Sequence, residues 1–188
     1  MICLMPYAQP NLRGLTLLSV TGPMMCRCGN IANGNNGLSA MPERIEEACA
    51  AIDEAVDYAR GAAAPYGINI LIEPLNSYDA PGYFLASTGQ ARDIINEVEA
   101  DNILLMFDCY HVQLIERDLS HRITNLMPVI GHIQFASVPD RGAPDHGEID
   151  LAHVFNVISE LGYLAPLAAE YKPVGPTIDT LSQISKYA

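Results

Sequence analysis

The sequence predicts an α/β fold on a parallel sheet, of the closed (β/α) TIM-type barrel kind. Three observations predict it. Short apolar runs alternate with helical patterns along the 188 residues, and strands alternating with helices make βαβ units with parallel strands. The runs are nearly continuous in apolar residues, as strands covered on both faces are. Several end on a polar residue, and the C-terminal strand ends are where a barrel gathers its functional groups. A doubly wound open sheet is the competing architecture. A nucleotide-binding sheet of that kind carries a Gly-rich phosphate turn after its first strand. The segment Gly22 to Gly37 has glycines but neither the G-x-G-x-x-G nor the P-loop spacing, so the barrel is favoured.

The elements follow in order. Leu15 to Val20 is a short strand, closed by Thr21-Gly22-Pro23, and a Gly- and Asn-rich loop spans Gly29 to Gly37. Met41 to Ala64 reads as a long helix: Pro42 suits its first turn, the early glutamates suit its N-terminal half, and Gly67 stops it. Its acidic face (Glu46, Glu47, Asp53, Glu54, Asp57) is expected in solvent. Ile68 to Pro74 is the second strand. Thr88 to Val98 is a helix capped by Ser87 or Thr88. Ile103 to Asp108 is the third strand, Leu119 to Met127 a shorter helix, and His132 to Ala136 the fourth strand. Asp150 caps a helix to Glu160 that Gly162 ends. Leu164 to Tyr171 is the fifth strand, and Ile178 to Tyr187 a last helix.

Composition limits the function. The chain is 49% apolar and 17% charged, with a net charge of −12. A nucleic-acid surface is ordinarily basic, because phosphate contacts need Lys and Arg, so no nucleic-acid partner is expected. No apolar run approaches the roughly 18 residues of a membrane span. The first residues lack basic flanks and are broken by Pro6 and Pro10, so no signal peptide is read and the expected location is the cytoplasm. Five cysteines, Cys3, Cys26, Cys28, Cys49 and Cys109, read as reduced thiols. Cys26-Arg-Cys28 lacks the spacing and the second pair of a zinc site.

Four strands finish on a group able to coordinate a cation: Glu73, Asp108, Gln134 and Glu170. Side chains alternate across a strand, so in a barrel the inward set meets at the mouth. Their intervals approach one βα unit each, about 30 residues. Carboxylates converging at one rim repel unless a cation resolves them, and oxygen ligands suit Mg²⁺ or Mn²⁺ better than zinc. Any one of these residues alone is as well read as a solvated rim group; the four together are harder to assign to accident. His132 shares the face of Gln134 but lies deeper, and a core or ligand-supporting role is favoured. His146 and Asp145 read as a solvated turn, His121 and His153 as surface groups on helices.

The segments Ile72-Glu73-Pro74-Leu75-Asn76, Phe107-Asp108-Cys109-Tyr110-His111, His132-Ile133-Gln134 through Pro139-Asp140-Arg141, Gly147-Glu148-Ile149 and Glu170-Tyr171-Lys172-Pro173 resemble the hydroxypyruvate isomerase family. That family lies among the xylose isomerase-like barrels and includes the 2-oxo-tetronate isomerases. The resemblance covers most of residues 40–175. It implies one divalent cation held by Glu73, Asp108, Gln134 and Glu170, with Glu73 and Glu170 moving protons. It implies that His111 and Arg141 face the substrate, with Lys172 helping to hold an anionic one. The implied reaction is an aldose–ketose type isomerisation of a small hydroxy-oxo acid through an enediolate, hydroxypyruvate giving tartronate semialdehyde, with no organic redox cofactor.

About five of the eight strands of a complete barrel are found. The expectation is one partial domain over residues 1–188, equivalent to strands 4 to 8 and shortened at its N-terminus, with a homo-oligomer one way to cover the open edge. Rival readings are an inactive barrel fragment, a 2-oxo-tetronate isomerase, a sugar 3-epimerase, which usually has His where Gln134 stands, and a metal phosphodiesterase, which would need more His ligands and a basic groove.

Overall fold

Every strand pairing described is parallel, as the alternating pattern requires. The computed structural model describes residues 18–19, 59–98 and 100–184. The Gly/Asn-rich loop, Cys26-Arg-Cys28 and the acidic helix face all lie outside the described residues. The chain divides into two compact units at Leu105 and Met106, and each is taken by itself.

In the first unit, strand β1 is Leu18–Ser19 and strand β2 is Ile70–Ile72. Only the end of the expected long helix is described: a wide turn over Ala59–Ala63 tightens over Ala64–Tyr66. Gly67 stops it as expected, at φ 66°, donating its N–H to the Ala64 carbonyl at 3.0 Å. Glycine takes that left-handed conformation without a Cβ penalty. Leu18 pairs with Ile70, and Ile70 and Ile72 pair with Ile103 and Leu105 of the next strand. Asn102 fixes the entry to that pairing, its carbonyl accepting from Ile70 N–H at 2.7 Å and its Nδ2 donating to the Ile68 carbonyl.

Helix α1, Thr88–Val98, has the predicted bounds. Ser87 is its cap: its Oγ accepts from Gln90 N–H at 3.1 Å, and Gln90 Oε1 reaches back to Ala86 N–H. The first bond satisfies a donor that the helix start leaves open, and the second ties the residue before the cap to the first turn. Thr88, Ala91, Ile95 and Val98 form its buried stripe, the three-and-four spacing of an amphipathic helix.

Strand β3, Ile103–Asp108, passes from the first unit into the second. Helices α2 (Cys109–Ile115) and α3 (Leu119–Leu126) follow, then β4 (Ile130–Phe135), α4 (Leu151–Glu160), β5 (Leu167–Ala169) and α5 (Thr177–Thr180). Strands β4 and β5 pair Ile133 with Leu167, Gln134 with Ala168 and Phe135 with Ala169. Helix α4 starts where Asp150 accepts the His153 N–H at 3.0 Å, and Gly162 stops it at φ 77°. Leu151, Val154 and Ile158 are its buried face. Phe107, Ile123, Ile133 and Val138 are fully buried in this unit, each side chain contributing about 1.5–3 kcal/mol of gross transfer energy.

Two readings are corrected. Strands β2 and β5 are shorter than read, because their apolar flanks continue as irregular chain. Helix α2 was not anticipated. No helix of the described residues is long and apolar enough to cross a membrane.

Candidate metal and substrate site

The site of the second unit is assembled where β3 gives way to α2 without a connecting loop. Asp108 ends the strand and caps the helix: its Oδ1 accepts the Tyr110 N–H at 2.9 Å. One carboxylate oxygen is thus committed to backbone, which fixes where the other points. Asp108 Oδ2 lies 3.8 Å from His111 Nε2 and 3.6 Å from Arg141 Nη2. His111 is the third residue after Asp108, close to one helical turn on, so a turn of α2 brings the imidazole over the carboxylate. Both residues are buried.

Arg141 arrives from the loop after β4. Its Nη2 lies 3.3 Å from Glu170 Oε2, so its guanidinium spans Glu170 and Asp108. Its Cζ sits 5.1 Å from the centre of the Tyr110 ring, a distance at which the ring face attracts a cation. Tyr110 is itself buried against Ala136 and Val138. Glu170 follows β5 directly, its N–H donating to the Phe135 carbonyl at 3.0 Å. Gln134 pairs with Ala168, and Glu170 lies two residues beyond Ala168, so Gln134 and Glu170 share a face of the sheet.

Gln134 and His132 test whether a metal would fit. Both are buried, and among the described residues Gln134 Oε1 and both ring nitrogens of His132 have no hydrogen-bond partner. Burying such groups unsatisfied is costly. Burial also pushes the His132 imidazole below its usual range, toward the neutral form. The donor set of carboxylate oxygen, amide oxygen and imidazole suits a divalent cation. Among the described residues of this unit, Asp108 and His111 are buried neighbours that each offer a metal-ligating atom. The residues present therefore fit a metal ion.

Glu73, in the first unit, follows β2 and is buried. Because Leu71 pairs with Leu104, Glu73 takes the sheet face of Leu104. Asp108, His111, Arg141 and Glu170 are brought together; Gln134 lies on the face of Glu170. Lys172 is exposed and lines a groove with Asp140, Asp145 and His146. Arg141, which the resemblance implies faces the substrate, also lies beside two carboxylates. Tyr110, the platform under Arg141, was missed; its place in the Asp108 to His111 motif was the available signal.

The chain matches the family model described as "Xylose isomerase-like TIM barrel" over residues 24–186. It is 40% identical over 134 residues to a 2-oxo-tetronate isomerase of Cupriavidus necator, covering 71% of this chain and 52% of that protein. It is 36% identical over 142 residues to a hydroxypyruvate isomerase of Escherichia coli, covering 76% of this chain and 55% of that protein. The chain thus spans about half the length of these two relatives. A crystal structure named as an AP endonuclease, family 2, from Brucella melitensis superposes with a TM-score of 0.73 at 32% identity, over 84% of this chain and 58% of that one. The parallel strands, the groups at their C-terminal ends and these likenesses lead to one statement of kinship: the chain belongs to the xylose isomerase-like TIM barrel family.

Proposed function

We propose that the chain is the catalytic part of a metal-dependent isomerase, supplying strands 4 to 8 of a barrel as one partial domain and acting on a small hydroxy-oxo acid, hydroxypyruvate in the first instance. The observation that carries this reading is the meeting of Asp108, His111, Arg141 and Glu170 at the ends of strands of one unit. Relatives named as isomerases of such acids support it.

In this reading Glu73, Asp108, Gln134 and Glu170 hold one Mg²⁺ or Mn²⁺. When bound, such an ion supplies a Lewis acid that stabilises negative charge developing on neighbouring oxygens. The protein's own residues do the rest. Glu170 and Glu73 are the proton carriers, one removing a carbon-bound proton and the other returning one to the adjacent carbon. Arg141 presents a guanidinium fork that matches a carboxylate, which selects acids over neutral sugars. His111 donates to a substrate oxygen, the buried ring being held over Asp108. Lys172, at the exposed margin, adds positive charge for an anionic substrate. A 2-oxo-tetronate isomerase is the second reading, favoured by the 40% identity to the protein of that name. Phosphodiester chemistry on nucleic acid is disfavoured by a net charge of −12.

The test is a panel of hydroxypyruvate and 2-oxo-tetronate with Mg²⁺ or Mn²⁺, on the wild-type chain and on Glu170→Gln. Turnover of either acid that falls about 10²–10⁴-fold in the variant, with melting unchanged, supports the scheme. Near wild-type turnover in Glu170→Gln refutes it.

A further inference from the structure

The loop between β4 and α4 carries Arg141 to the site, and its outer side is closed by a side-chain clip that the proposed chemistry does not use. Arg141 has a left-handed backbone, φ 55°, a conformation that a non-glycine residue keeps only when its surroundings hold it. Its N–H donates to the Ser137 carbonyl at 3.0 Å, and its carbonyl accepts from Lys172 N–H at 2.7 Å. Asp140, the residue before it, is gripped twice. Its Oδ1 accepts the Gly142 N–H at 3.1 Å, and its Oδ2 lies 2.8 Å from His146 Nε2. The other ring nitrogen of His146 lies 2.6 Å from Asp145 Oδ1. The His146 carbonyl accepts from Ser137 Oγ at 3.0 Å, which returns the clip to the end of β4. Gly142 leaves the room: a Cβ there would stand 2.6 Å from Asp140 Oδ2 and 3.0 Å from His146 Cε1.

The chemistry of the clip states its charge. An ionised carboxylate only accepts, and an imidazole donates from both nitrogens only when protonated. His146 can donate to both aspartates at once only as an imidazolium. The Asp145 and then the Asp140 hydrogen bond hold its pKa above the usual histidine value, and His146 in turn is the main cause that lowers Asp140. The titratable groups facing the clip are Asp140 and Asp145 from the loop and Lys172 from the segment after β5, all lining one groove of about 310 Å³.

We propose that His146, clamped between Asp140 and Asp145, is a positioning residue that holds Arg141 against Asp108 and Glu170, and so sets the affinity of the site for a substrate carboxylate. The first half stands on the loop geometry; the second rests on the isomerase reading. Two variants separate it from a merely structural role. His146→Asn removes the charge, and His146→Arg keeps a cation that can meet both aspartates at any ordinary pH.

The first readout is the NMR signal of the Arg141 guanidinium N–H. In the wild type it is expected to stay protected below the His146 pKa and to lose protection as His146 deprotonates. It should be unprotected throughout in His146→Asn and protected to high pH in His146→Arg. The second readout is kinetics on hydroxypyruvate, where His146→Asn should raise KM about ten-fold with kcat nearly unchanged, a loss of binding alone, and His146→Arg should restore it. Wild-type protection of Arg141 in His146→Asn overturns the proposal. An enzyme silent on hydroxypyruvate refutes the assignment of that substrate, while the NMR readout still decides the role of His146.

Discussion

Replacing Arg141 by Gln removes a charge and keeps most of a side chain, which makes it the sharpest perturbation of the site. The guanidinium Nη2 stands 3.3 Å from Glu170 and 3.6 Å from Asp108, with Arg141 16% exposed, Glu170 12% and Asp108 not at all. Coulomb's law at an effective dielectric of about 20 gives roughly 5 kcal/mol of attraction for each pair. Desolvation offsets much of that, but the variant leaves two carboxylates facing each other without a counter-charge. Breaking a buried pair costs about 3–5 kcal/mol, and partial exposure of Glu170 lowers the expectation to about 2–4 kcal/mol. At roughly 2–4 °C per kcal/mol for a chain of this size, the metal-free melting temperature falls by about 5–15 °C. Magnesium should recover more of the melting temperature in the variant than in the wild type, because a cation restores what the substitution took away. Thermal melts with and without Mg²⁺ measure both effects. A metal-free fall of less than about 2 °C, or a Mg²⁺ response equal in the two proteins, would refute the reasoning.

Further outcomes are expected. Asp150→Ala loses the cap of α4, the bond to His153 N–H at 3.0 Å; it should cost about 1 kcal/mol, readable in urea unfolding as a lower midpoint at unchanged slope. Cys109 is fully buried, and burial followed by the Asp108 charge pushes its thiol far above the usual range; alkylation mapped by mass spectrometry should leave it unmodified until denaturant is added. The raised pKa of His146 contributes stability that is complete below the usual histidine value of about 6.5 and lost as pH rises through the raised value. The lowered pKa of Asp140 contributes stability present above the usual aspartate value of about 3.9 and lost as pH falls through the lowered one. Melting temperature against pH should therefore decline at both ends in the wild type, with the alkaline decline weakened in His146→Asn.

Much of the fold was legible because its signals are local. Helix α1 is legible to its residue bounds because a Ser87-Thr88 cap signal precedes it, and the structure puts the cap on Ser87. Strand β3 was read whole because six residues, all but the last apolar, end on an aspartate. Helix α2 was not legible, because Asp108 serves as strand end and helix cap at once and no turn residues mark the change. Strand β5 was read too long because Leu164 to Pro166 are apolar yet partly exposed, up to 94% at Leu164. For the site, residue types at strand ends pointed to Asp108 and Glu170, but their shared partner Arg141 comes from a loop about 30 residues from either, and no local pattern announces such a meeting. His146 was read as a solvated turn; its half-exposed ring is solvated and also bound to two aspartates, a pairing set by how the loop folds back.

The central claim is that strand-end oxygen ligands hold a divalent cation, and a calorimetric titration with Mn²⁺ tests it most directly. The wild-type chain should bind a single ion, Gln134→Leu should bind it more weakly, and Asp108→Asn should not bind it measurably. A wild-type chain that takes up no Mn²⁺, or an Asp108→Asn variant that binds as the wild type does, would contradict the account.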